Sequence, residues 1–174
     1  MNRSLRLILI WTALITLTVR NVSAADDTVY TVHVSPFMQI DAMTADRTAT
    51  HPLTAGNVSF TNNRWFARTS SGTGSTVRFS TDHAFQHVAS PSSQRDARLT
   101  LTNMVGNSSG RWQYDVVTDV TNYAAGDGTA TVQVSSRAPG TAIITMRVDF
   151  LTGTASTLRQ GQYQMTVIGT ISEN

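Results

Sequence analysis

Gly161–Ile171 reads Gly-Gln-Tyr-Gln-Met-Thr-Val-Ile-Gly-Thr-Ile, and its period of two decides the fold class. Tyr163, Met165, Val167, Gly169 and Ile171 fall on one side of an extended chain. Gln162, Gln164, Thr166 and Thr170 fall on the other, with Ile168 as the exception. Successive side chains of a strand point to opposite faces, so this pattern buries one face and wets the other. Thr141–Phe150 repeats it, with Ile144, Met146, Val148 and Phe150 alternating with Thr145, Arg147 and Asp149. The two strands either pair across Leu151–Gln160 or lie in facing sheets.

Working outward, the same period appears in Thr28–Ser35 (Tyr30, Val32, Val34), Arg98–Thr102 (Leu99, Leu101) and Gly128–Ser135 (Val132, Val134). Arg111–Thr118 is read as a strand with Trp112, Tyr114 and Val116 inward. Arg64–Thr69 and Thr76–Ser80 flank a Ser-Ser-Gly-Thr-Gly-Ser turn and read as a hairpin. Beyond the first residues no stretch carries apolar side chains at helical spacing. The expectation is an all-β, antiparallel, Ig-like β-sandwich of about seven to nine strands. Asp41–Ala55 and Ala89–Asp96 are expected to be its least ordered stretches.

Residues 1–24 read as a secretory signal peptide. Arg3 and Arg6 precede an apolar run, Leu7–Val19, and Val22-Ser23-Ala24 supplies the small residues of a cleavage site. As a helix that run rises only about 20 Å, against the roughly 30 Å hydrocarbon core of a bilayer. The expected product is a single sandwich domain, 25–174, without stable membrane insertion. It is expected in the periplasm, at the cell surface or outside the cell. The chain has 13 basic residues, all Arg, and 11 acids. Without Arg3, Arg6 and Arg20 it is close to −1, which disfavours a nucleic-acid partner. It has no Cys, so an oxidising compartment supplies no disulfide and the core alone must hold the fold.

Motifs that carry chemistry elsewhere lack their context here. Gly106-Asn107-Ser108-Ser109-Gly110 has the spacing of a nucleophile elbow, but a strand follows it and no His occurs after His87, so it reads as a hairpin turn. His83 and His87 have the i, i+4 spacing of a zinc-binding helix, yet Ala84 stands where the catalytic Glu belongs. The reading assigns no metal and no cofactor. Asp115, Asp119 and Asp149 are read as solvated strand charges that discourage edge aggregation. Asp26, Asp27, Asp41 and Asp46 show no calcium-loop spacing. Trp65 and Trp112 lie within alternating strands and read as core residues rather than sugar-stacking platforms.

A resemblance rests on Trp65 in a strand followed by "TVRFST", "DARLTL", "WQYDVVTDVTNYAAGD", "ATVQVSS", "PGTAIITMRVDF" and a terminal "GQYQMTVIGTI". This succession resembles small secreted Ig-like sandwiches of bacterial surfaces, the pilin-like and spore-coat-U-like group. Gly161, Tyr163, Thr166, Val167, Gly169, Thr170 and Ile171 match the strand that closes that fold. The chain departs from the group in having no Cys and in carrying Glu173 where a penultimate aromatic is usual. The resemblance implies a non-enzymatic structural subunit of a surface fibre or matrix. Under it, Thr28–Ser35 is either the first strand of its own sandwich or a donor strand. A donor would insert Tyr30, Val32 and Val34 into a neighbouring copy by β-strand addition. A monomeric binding module for carbohydrate or protein is the alternative.

Overall fold

The computed structural model describes residues 30–35, 37–54 and 56–174. The expected signal, 1–24, lies outside them, as do Thr28 and Val29. The chain divides into a unit Met1–His33 and a compact unit Val34–Asn174. In the first, Tyr30–His33 carry no regular secondary structure. The second is all-β and antiparallel.

One sheet joins β1 (Met38–Ala42), β2 (Val58–Thr69), β10 (Gly140–Phe150), β6 (Ala97–Gly106) and β8 (Thr118–Val120), in that order. The facing sheet joins β12 (Val167–Glu173), β3 (Ser75–Thr81), β9 (Thr131–Ser135) and β7 (Gln113–Val116). A small third sheet orders β11 (Tyr163–Gln164), β4 (Phe85–His87) and β5 (Ser90–Arg95). With β1, β2, β3, β6, β10 and β12 taken as first to sixth strands, one sheet runs first–second–fifth–fourth and the other pairs third with sixth. That is the pairing of an Ig-type sandwich, in which a seventh strand lies on the free side of the sixth. Among the described residues no strand occupies that place beside β12.

The core lies between the two large sheets. Inward residues of β10 (Ile144, Met146) meet Phe79 and Val77 of β3 and Val132 and Val134 of β9, all fully buried. The Trp65 and Phe79 rings approach to 5.1 Å across the two sheets. At one end Phe60, Phe85, Phe150 and Tyr163 continue the core beneath the third sheet. Gly161 sits there at φ 139°, and a β-carbon on it would collide with the His87 ring. No L side chain fits that backbone.

Several expectations are corrected. The described residues form 12 strands rather than seven to nine, because the chain switches sheets within segments that read as continuous. The Gly161–Ile171 segment breaks at Met165 and Thr166 between β11 and β12, and Arg111–Thr118 breaks at Val117 between β7 and β8. β2 and β3 do not pair as a hairpin. The turn between them carries the chain across the sandwich, so that Trp65 and Phe79 meet face to face across the core. The Gly106–Gly110 turn likewise joins strands of different sheets. Ala89–Asp96 is not loose, since Ser90–Arg95 forms β5 and Arg95 binds Thr157. Tyr114 and Val116 are exposed rather than buried, because β7 ends its sheet and a bulge between them shifts Val116 from Val134's row to Gln133. Partial burial still pushes the Tyr114 hydroxyl above its usual pKa.

Period two identifies which residues carry the core, and this has a measurable consequence. Ile144→Ala should lower the unfolding free energy by about 2–5 kcal/mol, through lost transfer energy and a residual cavity. Ile168→Ala, on the half-exposed face of β12, should change it by less than about 0.5 kcal/mol. Urea denaturation of the two variants checks the contrast.

Candidate functional site

β12 ends one sheet and β1 ends the other, at the same corner of the sandwich. The bonds that bracket each ladder fix which backbone groups remain open. The Asp82 amide donates to Thr166 O at 3.0 Å, and the Asn174 amide donates to Gly74 O at 3.5 Å. In an antiparallel ladder hydrogen-bonded pairs recur every second residue, so Ile168, Thr170 and Ser172 turn their amides and carbonyls to β3. Val167, Gly169, Ile171 and Glu173 turn theirs to the open side. On β1, the Ser70 amide donates to Phe37 O at 2.8 Å and the Met43 amide to Arg64 O at 2.9 Å. The same parity leaves Met38, Ile40 and Ala42 open.

The residues with open backbone groups are also those whose side chains turn inward. Ile40, Val167 and Ile171 are half-buried against the core, with Trp65 of β2 beside them. Gly169 is the gap in this row. A β-carbon there would lie 2.9 Å from Trp65 Cζ3 and 3.0 Å from Ile40 Cδ1, so those two side chains use the space. β1 and β12 approach within 8 Å, Cα to Cα, without forming a ladder. A strand bonded to both needs about 9.6 Å, twice the ordinary spacing. Receiving one therefore requires β1 to move outward by at least about 1.6 Å, or the guest to bond β12 alone.

Tyr30, Val32 and Val34 are 89%, 84% and 85% exposed and belong to no strand. The expectation that Thr28–Ser35 is the first strand of its own sandwich fails for all of its described residues, because the first strand is β1. Exposing an alternating aromatic and β-branched triplet forgoes about 1.5–3 kcal/mol per side chain that burial would recover.

The other sequence candidates do not converge on a site. His87 is buried, its Nε2 is 2.9 Å from Gln160 O, and its ring packs edge-on against Tyr163. His83 Nδ1 is 2.6 Å from Ala84 O, and its Nε2 is 3.4 Å from Asp82. Both line a depression of about 210 Å³. Among the described residues no group of three His, Asp or Glu is placed to hold a metal. The Asp115 carboxylate accepts from Gln113, Gln133 and Ser135, and Asp119 accepts from the Thr131 amide. Asp149 is a correction. It is not solvated but 2% exposed, receiving the Ser59 hydroxyl at 2.6 Å beneath the Arg98 and Arg147 guanidiniums at 3.0 and 3.2 Å. Trp65 packs on Phe79, and Trp112 lies against Gly106 and Gly110. Comparison with known protein families, curated proteins and solved structures returns no match.

Alternation places Val167, Gly169 and Ile171 on one face and Trp65 in the core, but neither Ile40 nor the edge position of these strands is legible in the sequence. Alternation identifies inward residues on every strand, but which strand ends a sheet is a property of topology. Gly169→Val tests the packing of this corner. The added methyl groups must displace Trp65 or Ile40, so stability should fall by about 1–3 kcal/mol and the tryptophan emission should shift. Thermal melts and fluorescence read both.

Proposed function

We propose that the protein is a secreted, non-enzymatic structural subunit of a cell-surface or extracellular fibre or matrix, whose copies join by β-strand addition. The observation that carries the reading is the open place beside β12. There, inward side chains and unpaired backbone groups belong to the same residues, in a chain that also exposes an unpaired alternating triplet. In this reading Tyr30, Val32 and Val34 of one copy lie along β12 of the next. Thr31 and His33 stay on the wet face. The resemblance to pilin-like and spore-coat-U-like proteins points the same way.

Magnitudes decide which part of the contact matters. Each ladder hydrogen bond contributes about 0.5–1.5 kcal/mol net. Each inserted side chain contributes about 1.5–3 kcal/mol. Association itself costs several kcal/mol. The apolar triplet is therefore the decisive element, and the backbone ladder sets register and direction.

Size-exclusion chromatography with light scattering, over a concentration range, tests this on the purified protein. A concentration-dependent ladder is expected. It should collapse to monomer when Tyr30→Ser, Val32→Ser and Val34→Ser are combined, with the circular-dichroism spectrum unchanged. The triple variant should also bind a synthetic Thr28–Ser35 peptide and melt at a higher temperature with it. A wild-type protein that stays monomeric at every concentration, together with a variant that ignores the peptide, overturns strand addition and favours the monomeric binding module.

A further inference from the structure

On the outer face of the β1-β2-β10-β6-β8 sheet, two bulges flank the same stretch of β10. Opposite Met146 and Val148, β2 passes from Asn63 to Phe60, so Thr61 and Asn62 together face Arg147. On the other flank β6 passes from Leu101 to Asn103 while β10 advances by one residue, which leaves Thr102 as the extra. A bulge bends its strand and re-aims a side chain. Asn62 takes φ 61°, the left-handed region that Asn tolerates better than most residues.

The bend leaves a depression of about 560 Å³. Its polar lining is Asn62, Arg64, Thr102, Asn103 and Thr145. Ile143 and Val105 supply an apolar patch. The register orders these groups, with Arg64, Thr145 and Asn103 in one row across three strands and Phe66, Ile143 and Val105 in the next.

The chemistry of the lining selects a ligand class. Carboxamides and hydroxyls both donate and accept, as sugar hydroxyls do. A short aliphatic patch suits the C–H face of a pyranose ring. Arg64 adds a charge that the fold does not use. Among the described residues it has no carboxylate partner, whereas Arg98 and Arg147 on the same face are held by Asp149. A guanidinium matches a planar carboxylate with two parallel bonds.

We propose that this depression binds an acidic sugar whose ring carries a carboxylate, a hexuronate unit of an anionic polysaccharide. Arg64 takes the carboxylate. Asn62, Asn103 and Thr145 take hydroxyls, and Ile143 and Val105 lie under the ring. The site is on a sheet face, while strand addition uses a sheet edge, so the two proposals stand independently. A phosphate backbone is the poorer fit, because it is followed by many cations, and this groove pairs one free guanidinium with neutral amides.

Isothermal titration calorimetry of the purified protein with tetragalacturonate tests the assignment, with the fully methyl-esterified tetramer as its neutral control. Binding at one site per chain is expected. Esterification and Arg64→Gln should each weaken it at least tenfold, and Asn103→Ala at least threefold. Arg78→Gln, on the opposite sheet, should leave it unchanged. Arg64 is exposed and unpaired, so its variant should keep the wild-type melting temperature. No binding at millimolar tetragalacturonate overturns the proposal, as does equal affinity for the esterified tetramer or an equal loss in Arg78→Gln. Tighter binding of duplex DNA or polyglutamate, lost in Arg64→Gln, also overturns it and assigns the face to a general polyanion contact.

Discussion

A β-sheet can satisfy every backbone amide and carbonyl except those on the outer side of its last strand. In this protein that constraint falls on two sheets at one corner. β1 and β12 each leave a row of groups open beside the other, 8 Å apart or less at their nearest, without bonding. Parity makes the corner reactive toward a guest. The residues that open their backbone are the ones that turn their side chains into the core, so a guest strand meets hydrogen-bonding groups and an apolar floor together. On an edge whose outward side chains were charged, the same open ladder would be shielded. Here the row runs Ile40, Val167, Gly169 and Ile171, all uncharged, and ends on β12 at Glu173, whose carboxylate accepts the hydroxyl of buried Ser71 at 2.6 Å.

The opposite corner handles the same constraint differently. Between Gln113 and Val120 one segment serves both sheets, leaving the first at Val116 and joining the second at Thr118. Val117 O, at the crossing, accepts from the Leu101 amide at 2.8 Å. A covalent crossover thus closes one side of the sandwich, and the other side lacks an equivalent among the described residues. The fold is asymmetric in its edges, and its open places are concentrated at β1 and β12.

How much of this is legible in the sequence follows from what alternation encodes. Ile144, Met146, Val148, Phe150, Val132, Val134, Leu99 and Leu101 are identified as inward by period two, and all eight are buried. Alternation depends only on near neighbours, so it survives whatever the topology. It fails where topology intervenes. Tyr114 and Val116 alternate in the sequence, yet a bulge against β9 breaks that alternation and, at a sheet edge, leaves both exposed. Thr28–Ser35 has the pattern of a strand, and its described part pairs with nothing. Asp149 reads as a surface charge because no local pattern tells that Arg98, 51 residues away in sequence, lies beside it. The groove is the least legible feature. Its two bulges are defined by register against β10, and no residue type in β2 or β6 marks where register slips.

The division between edge and face has a consequence for function. A shallow groove with one free guanidinium and no enclosing walls holds a single sugar weakly, because a ligand half in water keeps much of its hydration and gains few desolvated contacts. The proposed strand addition would consume the edge at β12 and leave the outer face of the β2-β10-β6 region untouched. Copies joined in that way would repeat the groove along the assembly. For a polymeric ligand every contact after the first is intramolecular, at an effective concentration set by the spacing of the copies, and avidity can exceed single-site affinity by roughly 10²–10⁴-fold. The two proposals would then be complementary: weak recognition on a face becomes useful only where assembly through an edge supplies the repeats.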